Sequence, residues 1–370
     1  MAAAAAGVSL ALWPSAASVS SAASARSTSA RSTSARSTSV NSSAASTTSA
    51  STGHAATHRG GTASVAFAGS LLAVDNEVVG PGFQRATGHS YTGRGGGSIG
   101  LAHDIAAGEI TPGVFESVGA APIRALEPRF TRWYVQFAAS PLVLAYNPHT
   151  PYAAVFRNAA KGNGSLAAVF KAMARPGFLL GRTDPATDPQ GQAFIMMVEL
   201  AQRALHLPGA IVGQILGAGA TTGTGGNLSQ IFAETALDSH LEAGQLDAAS
   251  AFLSQAVQLH LPYVRLPAAI DFGNPADARQ YASASLVVPS TTGQKTTVHG
   301  APLVIDVTTL HQPSATKADV AASNAFLAYQ LSPTGRRDDA KEGFVLLPNT
   351  LFGSRGAVPA SVRRELAHAR

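Results

Sequence analysis

Apolar and polar positions change character at about residue 61. Beyond that point short apolar runs alternate with amphipathic stretches. Ala63–Ala68 is a compact apolar run and predicts a buried strand. Leu71–Gln84 carries helical spacing, with Pro81-Gly82 expected to end it. Ser98–Ala107 predicts a helix stopped by Gly108, and Val114-Phe115 reads as strand. Leu142–Tyr146 has the pattern of a central strand closed by Asn147-Pro148. Helices are expected over Tyr152–Ala174, Gln190–Leu205, Phe232–Glu242, Ala248–Leu259 and Ala318–Leu331. Strands are expected near Tyr263–Leu266, Ala284–Val288 and Pro302–Val307. Gly217–Gly226, built only of Gly, Ala and Thr, reads as a flexible loop. Alternation of this kind predicts an α/β fold with mostly parallel sheets flanked by helices.

Residues 1–61 are a different material. Ala2–Trp13 is a short apolar stretch, and Ala-Arg-Ser-Thr-Ser then repeats three times between Ala25 and Ser39. The tract offers too little apolar area to offset chain entropy, so disorder is expected. Ala2–Trp13 can serve as the apolar part of a secretion signal, with small residues for cleavage near Ala16–Ala23, although basic residues do not precede it.

Composition narrows the classes. Of 370 residues, 45% are hydrophobic and 13% charged, a balance suited to a large core. The net charge of +5 suggests a polyanion partner until its location is considered. Arg26, Arg31, Arg36 and Arg59 stand before residue 62 with no acid among them, and Arg363, Arg364 and Arg370 crowd the C-terminus. The body between is close to neutral, which argues against nucleic-acid binding. Cysteine is absent, which excludes disulfides, thiolate metal sites, a cysteine nucleophile and a lipid-modified anchor cysteine. No apolar run reaches the roughly 18 residues that span a bilayer.

Two segments share one design. Ala68-Gly69-Ser70-Leu71 is a strand end followed by Gly-Ser at a helix start, and Gly95-Gly96-Gly97-Ser98-Ile99 repeats the idea. First-turn N–H groups lack intrahelical acceptors, the helix dipole adds partial positive charge, and serine adds a hydroxyl donor. Two such ends facing each other can hold a small dianion without a cationic side chain. Each serine alone is equally an ordinary N-cap. Gly181–Gly191 is a third segment of this type, in which Asp184 and Asp188 can cap the following helix. Gly95–Gly100 also satisfies the dinucleotide fingerprint, but a polar segment precedes it. It satisfies the nucleophile-elbow pattern at Ser98 as well, yet no patterned acid and histidine follow. No phosphate-binding loop of an ATPase is present, and the histidines lack metal-ligand spacing.

Read in order, these segments resemble the tungstate/molybdate-binding extracellular proteins, from about Val65 to Gly353. The resemblance is carried by Phe67–Leu71, Gly95–Ile105, Pro112–Ser117, Trp133–Ala138 with Leu142–Pro148, Gly181–Gly191, Ala243–Pro267, and Phe326–Pro333 through Phe344. It implies a two-lobed type II periplasmic-binding-protein fold with the ligand in the interlobe cleft. Lobe one would comprise residues 62–146 and 275–353, and lobe two residues 147–274, leaving 354–370 as a tail. It also implies that Ser70 and Ser98 donate to an oxyanion and that Asp188 lies at the site.

Two positions depart from the family. A glutamate that some relatives bring from the helix after Gln245-Leu246-Asp247 aligns with Ala251. The tyrosine that usually follows the Asp-Pro-x-Gly turn is Gln192. In those relatives two carboxylates raise the coordination number of the metal, so its loss here favours a plain tetrahedral anion held by neutral donors, with Gln192 and Ser254 as substitute donors. The resemblance implies an exported, non-catalytic, monomeric receptor. It would capture molybdate or tungstate for the permease and ATPase of an ABC importer, with no cofactor and no resident metal. Alternatives are a receptor for sulfate or an organic anion, a sensor without a transporter, and a serine hydrolase using Ser98.

Overall fold

The computed structural model describes residues 60–289 and 294–368. The signal-like and low-complexity readings of residues 1–59 lie outside the described residues. Twelve strands are described: β1 (Thr62–Ala68), β2 (Ser90–Gly96), β3 (Val114–Val118), β4 (Trp133–Ala139), β5 (Leu142–Tyr146), β6 (Leu180–Gly181), β7 (Ala248–Phe252), β8 (Tyr263–Arg265), β9 (Ser285–Pro289), β10 (Lys295–His299), β11 (Val304–Thr309) and β12 (Val345–Gly353). They form a six-stranded sheet ordered β12-β4-β11-β3-β1-β2, a four-stranded sheet ordered β6-β7-β5-β8, and the hairpin β9–β10. The fold is α/β with two lobes, one on each of the larger sheets.

The sheets are mixed. β1 pairs parallel with β2 and β3, and β6 with β7, but β4, β11 and β12 pair antiparallel in the first lobe, as does β5 with both neighbours in the second. The expectation of mostly parallel sheets therefore holds for β1, β2 and β3 and for the β6–β7 pair, while the remaining pairs are antiparallel. The reason is connectivity: β4 and β11 are joined to other strands by passage through the second lobe, which frees them from the crossover that parallel neighbours require.

Strand pairing also moves the lobe boundaries. Leu142–Tyr146 pairs with β7 and β8, so the chain first changes sheet at Ser140-Pro141. It rejoins the six-stranded sheet at Val304, well beyond residue 275. The two passages run side by side, with the Ser140 N–H donating to the Leu303 carbonyl at 3.1 Å. Residues 354–368 join the fold: Ala360–His368 is a helix, and Val358 and Val362 are buried in the same core cluster as Phe326.

Other elements differ for identifiable reasons. Pro81 does not end the first helix. A π-helical turn, Val74–Val79, leads into the α-helix Gly80–Thr87, and Pro81, which has no N–H to donate, stands where the one passes into the other. Tyr152–Ala174 is two helices, Ala153–Ala160 and Leu166–Met173, separated around Gly162, which has φ of 74°. Ala248–Phe252 is a strand and only Leu253–Gln258 is helical. Its alanines carry helix propensity, but small side chains fit a strand buried on both faces, and tertiary packing wins. β2 was not expected because Ser90–Gly96 is polar; it is the edge strand, where polar residues face water. The Gly217–Gly226 run is held against the hairpin, the Val287 N–H donating to the Thr221 carbonyl at 2.9 Å.

Candidate functional site

β1 and β2 lie side by side in parallel register, with Ala68 opposite Gly96. Ser70 and Ser98 therefore stand at equivalent positions, two residues past the last paired residue of each strand. Both turns open beyond the carboxyl ends of parallel strands, the usual place for a ligand crevice in α/β sheets. Both side chains are 1% exposed. Ser70 belongs to a 3₁₀ turn, Gly69–Leu71, and Ser98 begins the helix Ser98–Ala107.

The second lobe supplies the opposing wall. β6 ends at Gly181 and continues through Arg182-Thr183 into the turn that leads to Asp188. Asp188 caps the helix Pro189–Ala204, its Oδ1 accepting from the Gln190 N–H at 2.8 Å. The segment ending in Glu234 is tied to this strand. The Arg182 N–H donates to the Gln230 carbonyl at 2.8 Å, and the Phe232 N–H to the Arg182 carbonyl at 3.0 Å. The Arg182 guanidinium, buried beneath, donates to Gln230 Oε1 at 3.3 Å and to the Thr183 and Asn227 carbonyls. Glu234 is thereby set beside Asp188.

The lobes touch through two hydrogen bonds at the serine turns. The Gly69 N–H donates to Glu234 Oε2 at 2.8 Å, and the Gly100 N–H to the Thr187 carbonyl at 3.0 Å. The approach requires glycine. A Cβ at Gly69 would lie 2.5 Å from Glu234 Cδ, and one at Gly97 2.7 Å from the Thr187 carbonyl and 3.1 Å from Asp188 Cβ.

Four buried polar atoms at this junction make no hydrogen bond of ordinary geometry among the described residues: Ser70 Oγ, Thr183 Oγ1, Asp188 Oδ2 and Glu234 Oε1. Buried polar atoms are nearly always partnered, and with Thr183 and Glu234 set against Asp188 the four form one polar junction whose bonding is incomplete. Burial pushes the Asp188 carboxyl up to about 6, against the pull of the Gln190 N–H and of Thr183 and Glu234 nearby. Burial first, and the adjacent Asp188 second, hold Glu234 well above the ordinary carboxyl range, although the Gly69 and Ser70 N–H groups pull it down. The junction thus combines hydroxyl and amide donors with two carboxyls that gain from a partner able to accept their charge.

The residues expected from sequence fare differently. Ser70 and Asp188 lie in this cluster. Ser98 borders it, with its Oγ accepting from the Val118 N–H at 3.0 Å and its proton available to donate. Among the described residues the Ser98 hydroxyl is bonded to the Val118 N–H, and no histidine hydrogen-bonds it. Gln192 is half-buried and its amide donates to the Pro185 carbonyl at 2.8 Å, bracing its own turn instead of joining the cluster. Ser254 bonds to Ser140, N–H to Oγ at 3.1 Å and Oγ to Oγ at 2.9 Å, and so belongs to the passage between lobes. Ala251 lies in β7 opposite Val143, and a different carboxyl, that of Glu234, meets the Gly69 turn. Sequence reasoning missed Thr183 and Glu234. Thr183 was inside a recognised turn, whereas Glu234 opens the helix Glu234–Glu242, where an acid has an ordinary reading as a partner of the helix dipole.

Residues 63–345 match the bacterial extracellular solute-binding proteins. A Haloferax volcanii protein named as an ABC-transporter molybdenum-binding protein is 32% identical over 208 residues, 56% of this chain and 61% of its own length. An uncharacterised solute-binding protein of Halobacterium salinarum is 29% identical, covering 81% of this chain and 89% of its own. The molybdate/tungstate-binding protein of Pyrococcus abyssi is 27% identical, covering 64% and 68%.

Proposed function

The chain belongs to the bacterial extracellular solute-binding proteins, and from that premise we propose that it captures molybdate or tungstate for an ABC importer. The observation that carries the reading is the convergence of Ser70, Thr183, Asp188 and Glu234 from two lobes, each with an unpartnered buried oxygen. The serine turns of the first lobe offer N–H and O–H donors to oxyanion oxygens. The carboxyls of the second lobe supply the discrimination. A carboxylate facing sulfate or phosphate repels it. A molybdenum or tungsten centre can accept further oxygen ligands, so Asp188 and Glu234 become ligands of the cargo in place of repelling it. Two carboxyls therefore favour an expanded, six-coordinate cargo over the neutral-donor site expected from sequence. They weigh against a sulfate receptor, because selectivity is set by what a site rejects as well as by what it binds.

In this reading the open chain exposes both serine turns. The anion bridges them to Asp188 and Glu234, and rotation at the paired passages around Ser140 and Leu303 buries it. The closed form then docks on the permease, whose ATPase is a separate chain. No helix of the described residues is long and apolar enough to cross a membrane, and the reading places the protein on the outer side of it.

Calorimetric titration of residues 60–370 with molybdate, tungstate, sulfate and phosphate tests the proposal. Sub-micromolar binding of molybdate or tungstate is expected, with sulfate weaker by about 100-fold, roughly 2.7 kcal/mol. Heat from sulfate or phosphate equal to that from molybdate, or heat from none of the four, contradicts it.

A further inference from the structure

Behind the serine turns, the interior of the first lobe holds four more fully buried carboxyls: Asp306 of β11 lies toward Gln136 and Arg124, and the other three, Asp75, Glu116 and Asp339, act on one another. Both oxygens of Asp75 and both of Glu116 lack a hydrogen-bond partner among the described residues. The two Asp339 oxygens share one donor, Gln330 Nε2, at 3.1 and 3.4 Å. Gln330 Oε1, also buried, has no donor of its own. Arg336, the cation that acts on Asp339, is committed elsewhere. Its guanidinium donates to the Phe137 carbonyl at 3.2 Å, to the Leu347 carbonyl at 2.6 Å and to Asn349 Oδ1. From β2, Tyr91 faces Asp75 and Glu116, but its hydroxyl donates to Asn76 Oδ1 at 3.1 Å. The remaining ionisable neighbours are Asp338, which adds like charge beside Asp339, and Tyr329, which faces Asp338, Asp339 and Arg85.

Four acid oxygens without donors, and an amide oxygen without one, cannot all be reconciled with ionised acids. Buried carboxylates left unpaired cost several kcal/mol each. A carboxyl O–H removes the charge and is the donor that Gln330 Oε1 lacks. We propose that Asp75, Glu116 and Asp339 form a proton-holding cluster that secures the first lobe in acid and loosens it as the cluster loses protons at alkaline pH.

Its position gives it reach. Asp75 lies in the π-helical turn whose first residue, Val74, donates its N–H to Gln258 Oε1 of the second lobe at 3.2 Å. Glu116 sits on β3 opposite Phe67 of β1, two residues before the Val118 N–H that holds Ser98. Burial, and then the mutual repulsion of the three acids, hold Asp75 and Glu116 well above the ordinary carboxyl range, and burial does the same for Asp339. The native chain thus binds more protons than the unfolded one between the ordinary carboxyl range and the raised native values. The stabilisation is complete below the ordinary range and is lost as pH rises through the native values.

The test is the thermal unfolding midpoint of the full chain without ligand, from about pH 5.5 to about pH 8.5, for the wild type, Glu116→Gln and Asp75→Asn. The wild-type midpoint is expected to fall by about 5 °C or more across this range. Each amide variant should fall less steeply, gaining on the wild type as pH rises. Asp75→Asn carries the comparison if Glu116→Gln does not fold. A wild-type midpoint that is level or rises with pH overturns the proposal, as do variants that run parallel to the wild type. Stabilisation in alkali by sodium or calcium, beyond choline chloride of equal ionic strength, assigns the oxygens to a cation and also overturns it. No oxyanion enters the experiment, so its outcome is independent of the receptor reading.

Discussion

The turns at Ser70 and Ser98 are equivalent in register and differ in almost everything that faces them. The Ser98 hydroxyl oxygen is engaged by a backbone N–H of its own lobe, and its helix meets a backbone carbonyl, that of Thr187, across the junction. The Ser70 hydroxyl has no partner among the described residues, and its turn meets a carboxyl, that of Glu234. One turn is braced from behind and the other is aimed forward. A shared Gly-Ser design therefore specifies where donors stand, while the opposite lobe decides what each turn can do. Ser98 is as much a brace for β3 as a ligand donor, whereas the Ser70 hydroxyl holds no bond among the described residues.

That contrast can be broken by substitution. The largest effect is expected from Glu234→Gln, which keeps an acceptor for the Gly69 N–H but removes the acid that can ionise on the cargo. Molybdate affinity should fall by about 100-fold in calorimetry, roughly 2.7 kcal/mol, with the already weak sulfate binding unchanged or improved. Equal losses for both anions would return Glu234 to a scaffolding role. Ser70→Ala should weaken molybdate by about 10-fold while leaving the thermal midpoint of the ligand-free chain in place, because no bond among the described residues is lost. Ser98→Ala should invert that pattern. Leaving the Val118 N–H without an acceptor costs about 1–3 kcal/mol of stability, against a loss of affinity of only about 3-fold. If Ser70→Ala and Ser98→Ala behave alike in both measurements, the distinction between the turns fails. The smallest effect is expected from Gln192→Ala, within about 2-fold in affinity, since its amide braces Pro185.

The two serine turns of the candidate site were readable in the sequence because Gly-Ser at a strand end is a local motif with a local physical meaning. The cap at Asp188 was readable for the same reason, and one of its oxygens accepts from Gln190 as expected. Glu234 was not readable. Its place beside Asp188 depends on the Arg182–Gln230 and Phe232–Arg182 backbone bonds, which join segments remote in sequence. The misread of Ala248–Phe252 has the same origin: an alanine-rich run is locally helical, and only burial between two neighbouring strands makes it β. Ser90–Gly96 failed in the opposite direction, since an edge strand shows no apolar alternation to detect. The acids at Asp75, Glu116 and Asp339 gave no sequence signal either, because nothing in the residues around Glu116 announces that its carboxyl faces two others inside a core.

The central claim is that Asp188 and Glu234 act on the cargo itself. X-ray absorption at the molybdenum edge of the molybdate-bound chain reads this directly. The account predicts an oxygen shell expanded from the tetrahedral set of free molybdate to six neighbours, reverting to four in Glu234→Gln. A bound spectrum indistinguishable from that of free molybdate would contradict it, leaving the two carboxyls as neighbours of the anion and not its ligands.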